Sequence, residues 1–157
     1  MPRRAYKKPI MRPDPIYGSI EVAKLINYVM FDGKKTVAMN QVYKCFDLIK
    51  AAGQDPLTIL HRAIEAVAPS QEVRPRRIGG ASYLVPTDTR PIRKLYLAMN
   101  WIVDAAKARS NREFHTFAEK LNAELQAVLV GEGEAIKKRA SVEKLADSNK
   151  AFAHFKW

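Results

Sequence analysis

The chain has 157 residues, 47% of them hydrophobic, with 27 Lys and Arg against 16 Asp and Glu for a net charge of +11. That length holds one domain with a real core, and the hydrophobic share argues against global disorder. The excess of positive charge suits a polyanionic partner. A membrane is the weaker choice, because no apolar run approaches the ~20 residues of a bilayer span and the opening MPRRAYKKPIMRP has no apolar signal region.

A single cysteine, Cys45, rules out an intramolecular disulfide, so a reducing, cytoplasmic setting is expected. The charge is uneven. Residues 1–18 carry Arg3, Arg4, Lys7, Lys8 and Arg12 against Asp14, while residues 72–94 carry Arg74, Arg76, Arg77, Arg90, Arg93 and Lys94 against Glu72 and Asp88. These 41 residues hold +8 of the +11 and leave the body nearly neutral.

The first segment also contains Pro2, Pro9, Pro13 and Pro15, four of the nine prolines, and is expected to be an extended basic arm; a frayed, solvated terminus is the plainer alternative. Ser19 can cap a first helix, with Ile20, Ala23, Lys24 (by its stem) and Ile26 around Leu25, Val29 and Met30, ended by Asp32-Gly33. A second helix is predicted from Thr36 to about Ala52, with Val42, Cys45, Phe46 and Ile49 on one stripe. Asp55-Pro56 starts a third, to about Ala68, with Leu57, Leu60, Ile64 and Val67 aligned.

Next comes RPRRIGGASYLVP, Arg74 to Pro86. Its Gly79-Gly80 pair is a two-residue hairpin turn, which sets Ile78 opposite Ala81, Arg77 opposite Ser82, Arg76 opposite Tyr83, Pro75 opposite Leu84 and Arg74 opposite Val85. Arginine then falls on both sides of the ribbon, so its outer half cannot lie on a core without burying charge, and it is expected to project. Pro75 and Pro86 fall in non-hydrogen-bonded pairs, where a missing N–H costs nothing. The exposed cations and Tyr83 suit phosphate contacts and stacking; a merely solvated hairpin is the alternative.

A fourth helix is predicted from Pro91 to Ser110, burying Leu95, Met99, Ile102 and Ala106. A fifth runs from about Arg112 to Val130 with Phe114, Phe117, Leu121, Leu125 and Val128, and a sixth from Glu134 to Phe152 with Ile136, Ala140, Val142, Leu145 and Ala146. The fold class is mainly α: six helices with a projecting β-hairpin between the third and fourth, in one domain.

Further cations stand at Lys34-Lys35 in the first interhelical loop, at Lys107, Arg109 and Arg112 closing the fourth helix, and at Lys137-Lys138-Arg139 on the last. The first could receive a phosphate, the second could serve the helix dipole or a phosphate, and the third could be a solvated face. Chemistry-bearing residues are sparse. His61, His115 and His154 are isolated, Cys45 lies on an apolar stripe, no spacing matches a metal site, and GEGEAIKK lacks the Gly-Lys-Ser/Thr ending of a phosphate-binding loop. The pattern is that of a binding protein, with no cofactor, metal or small-molecule substrate. A DNA-bending protein with basic ribbon arms is the runner-up, and an RNA-modifying enzyme lacks a constellation.

RRIGGASYLVP, RPIRKLYLAMNWI, DGKK, KKR and NKAFAHFKW, with MPRR and PDPIYG near the start, resemble the family of ribosomal protein seven of the small subunit, in its bacterial or organellar form. The resemblance covers essentially the whole chain. It implies six helices with a hairpin after the third, direct binding to the 3′ major domain of small-subunit ribosomal RNA, nucleation of head assembly, and a place beside exit-site tRNA, mRNA and ribosomal proteins nine and eleven. By matching position, Arg3, Arg4, Lys7, Lys8, Arg12, Lys34, Lys35, Arg74, Arg90, Arg93, Lys94, Lys107, Arg109, Arg112, Lys137, Lys138 and Arg139 are expected to meet ribosomal RNA. The hairpin tip, with Arg76, Arg77, Ile78, Gly79, Gly80, Ser82 and Tyr83, is expected to face tRNA. Asn100 and Glu143 depart from the residues usual in relatives, and the stretch after Arg109-Ser110 is longer.

Overall fold

The computed structural model describes residues 11–155, so the expectations on Arg3, Arg4, Lys7 and Lys8 lie outside the described residues. Six α-helices and one hairpin follow in order: α1 (Ile20–Val29), α2 (Lys35–Ala51), α3 (Pro56–Val67), β1 (Gln71–Ile78), β2 (Ala81–Asp88), α4 (Pro91–Ala108), α5 (Phe117–Val130) and α6 (Glu134–Ser148). A short 3-10 helix, Lys150–Phe155, follows.

Helix starts are set where the sequence places them. Ser19 accepts from the Glu21 amide, and Asp55 accepts from the Thr58 amide ahead of Pro56 at the first helical position. The core joins Leu25 and Ile26 of α1, Val42, Phe46 and Ile49 of α2, Leu60 and Val67 of α3, Met99 and Ile102 of α4, and Leu121 and Leu125 of α5. Cys45 is fully buried among them, and burial pushes its thiol up to about 12, which leaves it protonated and inert.

Three boundaries differ from the sequence reading. Helix α5 begins at Phe117 rather than Arg112, because Thr116 and Glu119 form a reciprocal capping box that fixes the start, and Phe114 stays in the preceding loop. Helix α6 stops at Ser148, where the chain tightens into the 3-10 helix; Leu145 is left exposed while Ala135 and Ala146 are buried. The arm is anchored before Gly18. Asp14 is buried and accepts from the amides of Ile16 and Tyr17 and from the Tyr43 hydroxyl at 2.7 Å, which ties Pro13–Gly18 to α2.

The hairpin has the expected register, from Ile78↔Ala81 at the tip through Pro75↔Leu84 to Val73↔Pro86, and it continues to Gln71↔Asp88. Gly79 and Gly80 have φ of +57° and +89°, the positive values that a two-residue turn of type I′ requires. The tip is exposed, but the ribbon is not bare along its length. Val85 is fully buried, and the Tyr83 ring lies 5.3 Å from Phe152 and 5.6 Å from Phe155, because the turn after α6 carries both phenylalanines over β2. Tyr83 is therefore packed internally and is not the open stacking surface expected from sequence.

Two glutamates secure the hairpin's base. Glu72 bonds Arg74 at 2.7 Å and Arg93 of α4 at 3.1 Å, and Glu143 of α6 accepts from the Ser70 amide and hydroxyl at 2.8 and 2.9 Å. Glu143 thus has a local role at the hairpin's base. Burial alone pushes both carboxyls up from the ordinary 4.5, but it is outweighed by the Arg74 and Arg93 bonds for Glu72 and by the Ser70 bonds with Arg139 for Glu143, so both lie below that value. A carboxyl depressed in the folded state contributes its full stability above its unfolded pKa, and loses it as pH falls through the folded one. Glu72→Gln is expected to cost about 1–2 kcal/mol at neutral pH, discounted for arginines that are half exposed. It should also flatten the fall of the melting temperature below pH 4.5; an unchanged acid limb in the Glu72→Gln, Glu143→Gln double variant would refute the assignment.

Candidate nucleic-acid interface

Helix α1 packs against α4, and two depressions along α4 gather cations that are far apart in sequence. At one end Lys24 of α1 shares a depression with Arg90 and Arg93 at the start of α4. At the other, Lys34 of the loop after α1 shares one with Lys107 near the end of α4, beside Phe31 and Phe117. Lys107 lies 14 positions beyond Arg93, roughly 21 Å along the helix. Asp32 and Gly33, with φ of +50° and +71°, form the turn that presents Lys34 and Lys35. Arg12 and Lys35 line a further hollow, which brings the end of the arm to the same loop.

The remaining expected residues differ in exposure and in what holds them. Arg76, Arg77, Arg90, Lys107, Arg112 and Lys138 are exposed, and Lys94 is half-buried. Arg74 and Arg93 share Glu72. Arg109 is turned inward, its guanidinium 2.8 Å from the fully buried Glu124, with a further bond to the Ala123 carbonyl. Lys137 pairs with Glu134, and Arg139 reaches the Ala66 carbonyl and Glu143, so the Lys137-Lys138-Arg139 cluster is split between surface and body. Of the three cations at the end of α4, Lys107 and Arg112 face solvent while Arg109 serves the fold.

Lys24 and Tyr28 belong to this surface, and the sequence reading gave Lys24 only a packing role through its stem. The available signal was a repeated spacing: a cation and a tyrosine one turn apart, Lys24 with Tyr28 on α1 and Arg93 with Tyr96 on α4.

No group of three or more His, Cys, Asp or Glu that could hold a metal ion occurs among the described residues. His61 lies on the surface between Glu21 and Glu65, far along the chain from His115 and His154. None of the described helices is long and apolar enough to cross a membrane.

A helical body with cationic depressions and an arginine-tipped ribbon is that of a polyanion-binding protein. Comparison with known proteins makes this specific. The family described as ribosomal protein S7p/S5e matches residues 1–150. The chain is similar over 100% of its length to the small ribosomal subunit proteins uS7 of Sulfurihydrogenibium sp. (strain YO3AOP1), 48% identical, and Thermotoga neapolitana, 47% identical, covering 100% of each. It is 46% identical to that of Phenylobacterium zucineum over 99% of this chain and 98% of the relative. The chain belongs to the ribosomal protein S7p/S5e family. It is a non-enzymatic, RNA-binding constituent of the small ribosomal subunit, and works in translation in the cytoplasm.

Proposed function

We propose that the chain binds the 3′ major domain of small-subunit ribosomal RNA directly, nucleates assembly of the subunit head, and presents its hairpin to exit-site tRNA and mRNA beside ribosomal proteins nine and eleven. The observation that carries this reading is that cations from three separate stretches of sequence, at Lys24, at Lys34 and from Arg90 to Lys107, line two depressions along α4, at the start of which the hairpin is fixed through Arg93 and Glu72. Arg12, Lys34, Lys35, Arg90, Lys94, Lys107, Arg112 and Lys138 are the residues assigned to ribosomal RNA. Arg74, Arg93, Arg109, Lys137 and Arg139 contribute through the surfaces they organise. The exposed tip around Arg76, Arg77, Gly79 and Gly80 is assigned to tRNA and mRNA.

Competition between matched fragments of ribosomal RNA and duplex DNA at fixed salt tests the first part, and equal affinity would favour a DNA-bending protein instead. Gly79→Val tests the second. Nothing lies within 4 Å of the position a side chain would take, so the effect is purely conformational: a β-branched residue resists φ of +57° and the turn loses about 1–2 kcal/mol. Subunits carrying this variant are expected to assemble their heads normally and to release exit-site tRNA at an altered rate. An unaltered rate would remove the tip from the interface.

A further inference from the structure

Where α1 meets the first turn of α4, the surface opens into a cavity of about 620 Å³, within the range of small-ligand sites. Its walls are apolar and aromatic. Tyr28 and Tyr96 meet edge to face with ring centroids 5.7 Å apart, and Ile92 is 71% exposed beside them. Its rim is cationic, with Lys24, Arg90 and Arg93 and no carboxylate among the lining residues. Arg93 is the most fixed of the three: its guanidinium stands 5.1 Å from the centre of the Tyr96 ring, and its Nε is held by Glu72.

An occupant must therefore offer a flat apolar face and, within a few ångströms of it, negative charge. A helical duplex offers charge with its bases hidden in the stack, and an acidic peptide offers a plane only where an aromatic side chain stands beside its carboxylates. An unstacked nucleotide offers both. We propose that this cavity receives one extruded nucleotide of single-stranded or bulged RNA, its base against Tyr96 and Ile92 and its flanking phosphates on Lys24 and Arg90. The inference rests on the RNA-binding reading above and goes further by locating a base-reading subsite within a surface otherwise suited to phosphates.

The test uses the full chain, an oligouridylate trimer and its abasic counterpart, which carries the same phosphates and no bases. The trimer is expected to shift the methyl resonance of Ile92 and to bind roughly 5- to 100-fold more tightly than the abasic strand, the range that base–aromatic stacking supplies. Tyr96→Ala and Ile92→Ser should bring the two ligands to similar affinity, and Tyr96→Phe should retain the difference. Tyr96 is 42% exposed and Ile92 more so, and the helical circular dichroism of both variants should stay that of the parent. Equal affinity of the parent for both strands, or an unchanged preference in both variants, would overturn the proposal. Displacement of the trimer by polyglutamate at equal concentration would assign the cavity to an acidic protein and overturn it too. Binding of a ribosomal RNA fragment to the same parent protein is measured in parallel, so failure of the subsite is distinguishable from failure of RNA binding as a whole.

Discussion

Glu124→Ala is expected to destabilise the protein by about 3–5 kcal/mol, the cost of removing one partner of a buried ion pair. For a chain of this size that lowers the melting temperature by roughly 6–20 °C. The carboxylate, carried on α5, is fully buried and serves two other segments at once. One oxygen takes the Arg109 guanidinium at the end of α4; the other accepts from the Ala135 amide at 3.2 Å, in the first turn of α6. Gly133 caps α6 without a side chain to offer, so Glu124 of α5 supplies the acceptor and places negative charge at the positive end of the helix. The approach is close enough that a Cβ on Gly133 would meet Val128 at 2.7 Å and Glu124 at 2.9 Å.

Two controls separate this account from general loss of packing. Arg109→Ala should cost a similar amount, and the two single losses should not add, since either leaves the same pair broken. Replacing both by apolar residues, Glu124→Leu with Arg109→Met, should recover most of the loss, because no unpaired charge stays buried and only the Ala135 amide lacks an acceptor. A double variant as unstable as Glu124→Ala would mean that Glu124 acts through packing alone.

This pair also marks the limit of what the sequence could disclose. Local chemistry was legible: Ser19, Asp55-Pro56 and Pro91 start their helices, and Gly79-Gly80 with its flanking prolines gives the hairpin's register residue by residue. Each of those signals acts over a few neighbouring residues. Thr116 and Glu119 were equally local, but Phe114 extends the apolar period of α5 backward past the cap and hides the start. What the sequence could not disclose depends on which helices meet. Arg109 and Glu124 stand 15 residues apart on different helices, and nothing in either helix's pattern distinguishes Arg109 from the solvated Arg112. Tyr83 looks free in a two-strand ribbon until the chain after Ser148 turns back across it. The candidate interface was therefore legible as a list of cations and not as a surface, and the sorting of that list into exposed and internally paired members came from the fold.

That sorting makes the response of RNA binding to salt a sharp expectation. If six to ten phosphates are neutralised, affinity for the ribosomal RNA fragment should fall by roughly 10³- to 10⁵-fold between about 50 and 200 mM salt. Each cation that releases a counterion contributes a little under one to the slope of log affinity against log salt. Lys34→Ala with Lys107→Ala, which removes the two cations lining one depression, should therefore flatten the slope by about one to two while leaving the melting temperature nearly unchanged. The Glu124→Leu, Arg109→Met variant removes a cation too, yet its slope should match the parent's, because the Arg109 charge is already spent on Glu124. A flat response in the parent would refute electrostatic recognition of RNA. If the Arg109 variant flattened the slope as much as the Lys34, Lys107 variant, binding would have to open the Arg109–Glu124 pair, and the division between structural and RNA-facing cations would fall.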